Sequence, residues 1–271
     1  MIAAINEAVD FIRKHYEHKP AVGIVLGSGM GSFTDEIRIE KEIPYSDIPH
    51  FPVSTVAGHK GKLVFGEVGG KKVVCMAGRF HYYEGYTAQQ VVFPIRVMKF
   101  LGIETLLLSN AAGGVNPAFQ VGDMMIITDH ISQLIPNPLI GKNEPELGPR
   151  FPDMSEPYSK KLIARAKQIA AEKGIALREG VYVAVTGPTF ETTAEYKMIH
   201  VMGGDVVGMS TVQEVIAAVH MGLPAFATSV VTDLGLRPEG MPPVTHEEVL
   251  HAAKTAEPKF KALFCELIAQ L

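Results

Sequence analysis

The chain has 271 residues, 47% of them hydrophobic and 20% charged, with 25 basic against 29 acidic residues, a formal net charge of −4, two cysteines and no tryptophan. A single core can still grow at this length, so one globular domain spanning 1–271 is expected. The acidic balance, with basic runs no longer than Lys71-Lys72 and Lys160-Lys161, excludes a nucleic-acid binder. Cys75 and Cys265 lie far apart in apolar stretches without a Cys-x-x-Cys or Cys-x-x-His companion. That pattern argues for reduced thiols in a cytoplasmic protein and against a disulfide framework or a thiolate metal site. Charge enters the N-terminus too early, at Glu7, for a signal peptide, and no apolar run reaches the ~20 residues of a membrane span.

Ile2, Ile5, Val9 and Ile12 recur at helical spacing and predict a first helix; Val22-Gly23-Ile24-Val25-Leu26 then reads as a buried strand ending in glycine. Segments 63–68 and 72–76 flank Gly69-Gly70 as a tight hairpin, and a strongly patterned helix follows over about 87–101. Strand-like runs at 105–109, 124–127, 181–185, 206–207 and 225–231 come next, with helices near 158–173, 192–202, 212–221 and 245–269. This alternation predicts an α/β fold, a mixed central β-sheet flanked by helices. In such sheets ligands collect beyond the carboxyl ends of the strands. The proline- and glycine-rich stretch 136–157 is predicted to be a long loop, a kind that in compact domains is usually functional.

The unusual residue clusters fall at those strand ends. Gly27-Ser28-Gly29-Met30-Gly31 brings bare backbone N–H groups and a hydroxyl to a point where an anion can sit. Arg79-Phe80-His81-Tyr82-Tyr83-Glu84-Gly85-Tyr86 crowds a guanidinium, an imidazole, phenols and a carboxylate into one short segment. Arg79 and His81, two apart on an extended strand end, point the same way, which suits gripping one tetrahedral oxyanion. Asn110-Ala111-Ala112-Gly113-Gly114 terminates another strand with small residues that let a ligand lie on backbone. In Gly208-Met209-Ser210-Thr211, Ser210 is placed to open the helix near Val212 and share an anion with its amides. Phe190-Glu191 and Asp233 supply an aromatic ring and two carboxylates at the same edge, a pattern suited to the N–H donors of a heterocycle.

Several chemistries are excluded. The glycines at 27–31 are misplaced for a dinucleotide fingerprint and lack the Lys-Ser/Thr of a phosphate-binding P-loop, which argues against a nicotinamide-dependent oxidoreductase. There is no Gly-x-Ser-x-Gly elbow. His246 and His251 are five apart, about 140° around a helix, and cannot chelate one metal from one face.

In order and wording these clusters resemble the purine nucleoside phosphorylases of the low-molecular-mass, trimeric class. The resemblance spans nearly the whole chain and adds Ala57-Gly58-His59, Arg150-Phe151-Pro152 and His246-Glu247-Glu248 to the segments above. It implies phosphorolysis of purine ribo- and deoxyribonucleosides to free base and pentose 1-phosphate, with no metal or organic cofactor, for purine salvage. It also implies that Ser28, His59, Arg79, His81, the Ala111 backbone N–H and Ser210 hold phosphate. Tyr83, Met209, His246 and a neighbouring subunit's Phe151 would line the ribose, and Phe190, Glu191 and Asp233 the base, with His81, Glu191, Asp233 and His246 as the catalytic set. A homotrimer follows from the same resemblance.

Glu191, accepting from a 6-oxopurine, would prefer inosine and guanosine. Asp233 stands where the best-known trimeric members carry asparagine, and an ionised aspartate accepts from a 6-amino group, so adenosine is expected to be tolerated better than in the asparagine type. The alternatives are a methylthioadenosine phosphorylase-like activity, which Glu191 and His246 argue against, and a non-catalytic nucleoside-binding protein, which would not need Arg79, His81 and Ser210 together.

Overall fold

The computed structural model describes residues 1–56, 60–236 and 245–271, the side chain of His246 excepted. In chain order the elements are α1 (Ile2–His15), β1 (Val22–Val25), β2 (Arg38–Pro44), β3 (Lys62–Val68), β4 (Lys71–Ala77), α2 (Ala88–Leu101), β5 (Thr105–Gly114), β6 (Met124–Ile131), α3 (Lys160–Lys173), β7 (Arg178–Ala184), α4 (Thr193–Val201), β8 (Val206–Gly208), α5 (Val212–His220), β9 (Ala225–Leu234) and α6 (His246–Ala269). Apolar side chains on both faces of β1, β4, β5 and β9 require cover on both sides. One layer, α1, α2 and α5, buries Ile5, Ile12, Ile95, Met98 and Val215 against one face. The other, α3 and α6, buries Ile169, Phe260, Leu263 and Phe264 against the opposite face. This is a single-domain α/β fold with a mixed sheet between helices.

The strands run in the order β2-β3-β4-β1-β5-β8-β7-β6-β9, and β9 returns to pair with β5. β1 lies parallel to β4 and β5, β9 is parallel to β5, and β8 is antiparallel to β5. β5 therefore has three partners. Along one edge it meets β1 through Thr105–Leu108 and β8 through Gly113 and Gly114, while its other edge follows β9.

The structure differs from the sequence pattern at two places. β2 was not expected, because Arg38-Ile39-Glu40-Lys41-Glu42 is charged and exposed; it is an edge strand on β3, laced by Arg38–Glu67 (2.7 Å) and Lys72–Glu40 (2.6 Å) ion pairs. Charged edges of this kind block further strand addition. β5 does not end at its apolar run but continues through Asn110-Ala111-Ala112-Gly113-Gly114, whose small side chains admit strands on both edges.

Gly27 shows how tightly β1 and β5 meet. A Cβ there would lie 2.7 Å from Asn110 Cα and 2.7 Å from the Ser109 carbonyl oxygen, both backbone atoms that cannot swing away. Gly27→Ala is accordingly expected to destabilise the fold by about 1–3 kcal/mol through overpacking, read as a lower urea midpoint; an unchanged midpoint would refute the packing argument.

Candidate active site

Six strand ends converge on one cavity of about 320 Å³. β1 delivers Gly27 and Ser28, β4 leads to Arg79 and His81, and β5 contributes Asn110 to Gly113. The turn after β7 brings Phe190 and Glu191, β8 leads to Met209 and Ser210, and β9 brings Thr232 and Asp233. The walls thus gather Ser28, Arg79, His81, Tyr83, Ala111, Phe190, Glu191, Met209, Ser210 and Asp233 from positions up to 205 residues apart.

One end of the cavity is rich in donors. Arg79 is 1% exposed, and its guanidinium is fixed by Glu214 in the first turn of α5, Nε donating at 3.2 Å and Nη2 at 2.9 Å. Nη1 donates to the Ser109 carbonyl at 2.5 Å and reaches Ser210 Oγ at 3.5 Å. Glu214 itself is 2% exposed. Ser210 is not the helix cap predicted from its position: Thr211 holds that place, in the left-handed region at φ 70°, and its Oγ accepts from Asn110 Nδ2 at 2.9 Å. The Ser210 hydroxyl is therefore left at the cavity wall, 3.1 Å from Thr211 Oγ, while its backbone N–H donates to the Tyr182 hydroxyl at 3.3 Å.

His81 is set by its neighbours. Its ring stacks on Tyr83 at 4.6 Å and 15°, and Nδ1 lies 3.1 Å from Glu84 Oε1. Glu84 also accepts from the His81 N–H at 2.8 Å and from the Thr55 N–H and hydroxyl at 2.8 and 2.6 Å. Burial pushes the Glu84 carboxyl up, but the hydrogen bonds from His81 and Thr55 outweigh it and hold the pKa at about 2.

The other end holds acceptors. Phe190 is 44% exposed, while Asp233 is 4% exposed and accepts from the Thr232 hydroxyl at 3.1 Å. Burial raises the Glu191 carboxyl above its ordinary range; hydrogen bonds from its own backbone and from Tyr196 oppose this, and the charges of Asp233 and Glu195 add to it. The negative charge of Asp233 is thus one of the smaller causes that raise the Glu191 carboxyl, burial being the largest.

His59 and the His246 side chain fall outside the described residues. Phe151 is 87% exposed, with the Arg150 guanidinium 5.7 Å above its ring, and borders a second cavity of about 640 Å³ with His130, Ile140 and Met154. Within one chain it does not reach the first cavity. Sequence reasoning assigned no role to Glu214, Tyr196 or Thr232. For Glu214 a signal existed, the one carboxylate in the mostly apolar helix Val212–His220, since charged groups are buried only when paired.

Residues 21–269 match the model of the phosphorylase superfamily. The chain is 53% identical over 259 residues to purine nucleoside phosphorylase 1 of Geobacillus stearothermophilus, covering 95% of this chain and 93% of that one. It is 47% identical to purine nucleoside phosphorylase 1 of Bacillus subtilis, covering 98% of each. Its fold superposes with a TM-score of 0.95 on the Schistosoma mansoni purine nucleoside phosphorylase in complex with adenosine, at 42% identity over 100% of this chain and 98% of that one.

The Glu84 cluster makes a pH prediction. Because the folded carboxyl is held at about 2, below its ordinary 4.5, its stabilising contribution is present above about pH 4.5 and is lost as the pH falls toward 2. Urea unfolding at stepped pH should show that Glu84→Gln flattens this part of the acid limb; parallel wild-type and variant curves would contradict the assignment.

Proposed function

The chain belongs to the phosphorylase superfamily, and from that premise we propose that it is a purine nucleoside phosphorylase that splits purine ribo- and deoxyribonucleosides with inorganic phosphate, giving free base and pentose 1-phosphate. The observation that carries this reading is one cavity lined both by the donors Arg79, His81 and Ser210 and by Phe190, Glu191 and Asp233, with Arg79 at the Ser109 carbonyl of β5 and Asp233 paired with Gly113 further along that strand. Phosphate is assigned to Ser28, Arg79, His81, the Ala111 N–H and Ser210, with His59 nearby. The sugar is assigned to Tyr83, Met209 and His246, and the base to Phe190, Glu191 and Asp233.

The chemistry follows from that polarity. A phosphate oxygen bonds to the anomeric carbon as the N-glycosidic bond breaks, and the electron pair of that bond leaves with the purine. The sugar passes through an oxocarbenium-like state, so a phosphate anion held beneath it stabilises the developing positive charge. Opposite, the purine gains electron density. Contacts to its N–H groups orient it, and a hydrogen bond donated to its imidazole nitrogen makes it a better leaving group. No cofactor is needed for this exchange, in which phosphate is the co-substrate. Glu191 selects the N–H donors of 6-oxopurines, and ionised Asp233 adds tolerance for the 6-amino group of adenosine.

The exposed Phe151 and the cavity beside it support a homotrimer in which Phe151 of the partner subunit closes the sugar site. A cytoplasmic enzyme of purine salvage fits this reading; no described helix is long and apolar enough to cross a membrane.

Phosphate-dependent consumption of inosine, followed by absorbance, tests the activity; no turnover would overturn it. Glu191→Ala should lower kcat/KM for inosine by at least about 100-fold, because a buried polar contact is lost in the transition state, and a value within a few-fold of wild type would remove Glu191 from base recognition. Asp233→Asn should retain inosine turnover and lose adenosine turnover, measured as steady-state rates on both nucleosides; a wild type without adenosine turnover would sink the tolerance.

A further inference from the structure

The anion end of the cavity contains a cation that is already spoken for. Among the described residues lining that cavity, Arg79 is the one lysine or arginine. A guanidinium has five N–H donors. Two of those on Arg79 go to the Glu214 carboxylate at 3.2 and 2.9 Å, a third goes to the Ser109 carbonyl at 2.5 Å, and Nη1 also lies 3.5 Å from Ser210 Oγ. Both partners of the ion pair are almost wholly buried, Arg79 at 1% and Glu214 at 2% exposed, so solvent does little to screen one charge from the other. Glu214 approaches from the α5 side, in the first turn of a helix that otherwise buries only apolar and amide side chains and a terminal histidine.

We propose that Glu214 is a positioning and charge-setting residue of the phosphate site. It clamps the guanidinium plane from behind and neutralises it, so that phosphate is gripped by directed hydrogen bonds rather than by net positive charge. This rests on the phosphorolysis reading above. The physical reason lies in where the phosphate charge is needed. An unopposed guanidinium would hold the phosphate most tightly before reaction, while its charge is undiminished, and binding that is stronger in the ground state than in the transition state lowers kcat. It would also draw on the same oxygens that must stabilise the sugar cation. A neutral Arg79–Glu214 pair leaves that charge acting on the anomeric carbon, while the clamp fixes the orientation of the guanidinium.

A double-mutant cycle on the full-length enzyme tests the assignment, with KM for phosphate, KM for inosine and kcat as readouts. Arg79→Gln leaves the Glu214 carboxylate buried against the incoming anion, and the phosphate KM should rise at least about 100-fold. Adding Glu214→Gln removes that repulsion and should recover at least about tenfold of the loss, a coupling that independent residues do not show. Glu214→Gln alone should lower the phosphate KM by about threefold or more and lower kcat by about tenfold, the split expected when ground-state binding is gained at the expense of the transition state. The inosine KM should stay within about threefold throughout, since the base end is untouched. A double variant no better in phosphate KM than Arg79→Gln, or a Glu214→Gln enzyme whose phosphate KM rises, would overturn the charge-setting role. If Glu214→Gln does not fold, as read by circular dichroism, the comparison of Arg79→Gln with the double variant decides alone, because removing both charges leaves neither buried without a partner. A wild type that does not consume inosine with phosphate would strike the phosphorolysis reading itself, a result distinct from either of these.

Discussion

A β-strand has two edges, and β5 uses both along most of its length. Its first half lies between β1 and β9, and its last two residues pair with β8 on one side while β9 continues on the other. Only small side chains permit this change of partner. A Cβ at Gly114 would lie 2.9 Å from Val231, and one at Gly113 would lie 3.0 Å from Asp233 Oδ2. Because three strands end against β5, the loops that follow them open into the same space. Asn110, Met209 and Asp233, remote in sequence, become neighbours of Ser28 around one cavity.

The cavity built on that strand is polarised without being strongly charged. At one end the guanidinium of Arg79 is balanced by Glu214, and hydroxyls and backbone surround it. Across from it, burial and the nearby charge of Asp233 raise the Glu191 carboxyl above its ordinary range. Arg79 meets β5 at the Ser109 carbonyl, and Asp233 pairs with Gly113 further along the same strand, so donors for an anion and acceptors for a base are set apart along β5. The surroundings stiffen the donor end. Glu84 ties His81 to Thr55, the Tyr86 hydroxyl bonds the backbone of Val53, and Lys60 donates to Thr34 Oγ at 2.7 Å. Ser32 hydrogen-bonds Glu257, linking the glycine-rich turn after β1 to α6.

Much of this was legible along the chain. The helical recurrence of Ile5, Val9 and Ile12, the Gly69-Gly70 hairpin and the apolar run of β1 are local patterns, and local patterns survive folding. The candidate ligands were legible for a related reason, since glycine pairs, a dense Arg-His-Tyr-Glu segment and a Phe-Glu step make poor packing material wherever they occur. β2 was not legible, because a charged edge strand carries little apolar periodicity. Nor was the continuation of β5, whose residues are small to suit neighbours that only the fold brings close.

By itself, then, the sequence determined the alternation of helix and strand, the chemistry available at each strand end and, through the wording of those segments, a kinship with purine nucleoside phosphorylases. Periodicity and local chemistry are properties of neighbours in the chain. Tertiary structure alone decided that Arg79 would be neutralised by a glutamate 135 residues away, that Glu191 would share its field with Asp233, and that Phe151 would face outward. Those outcomes depend on distances across the sheet and on burial, which strengthens charge interactions and shifts protonation.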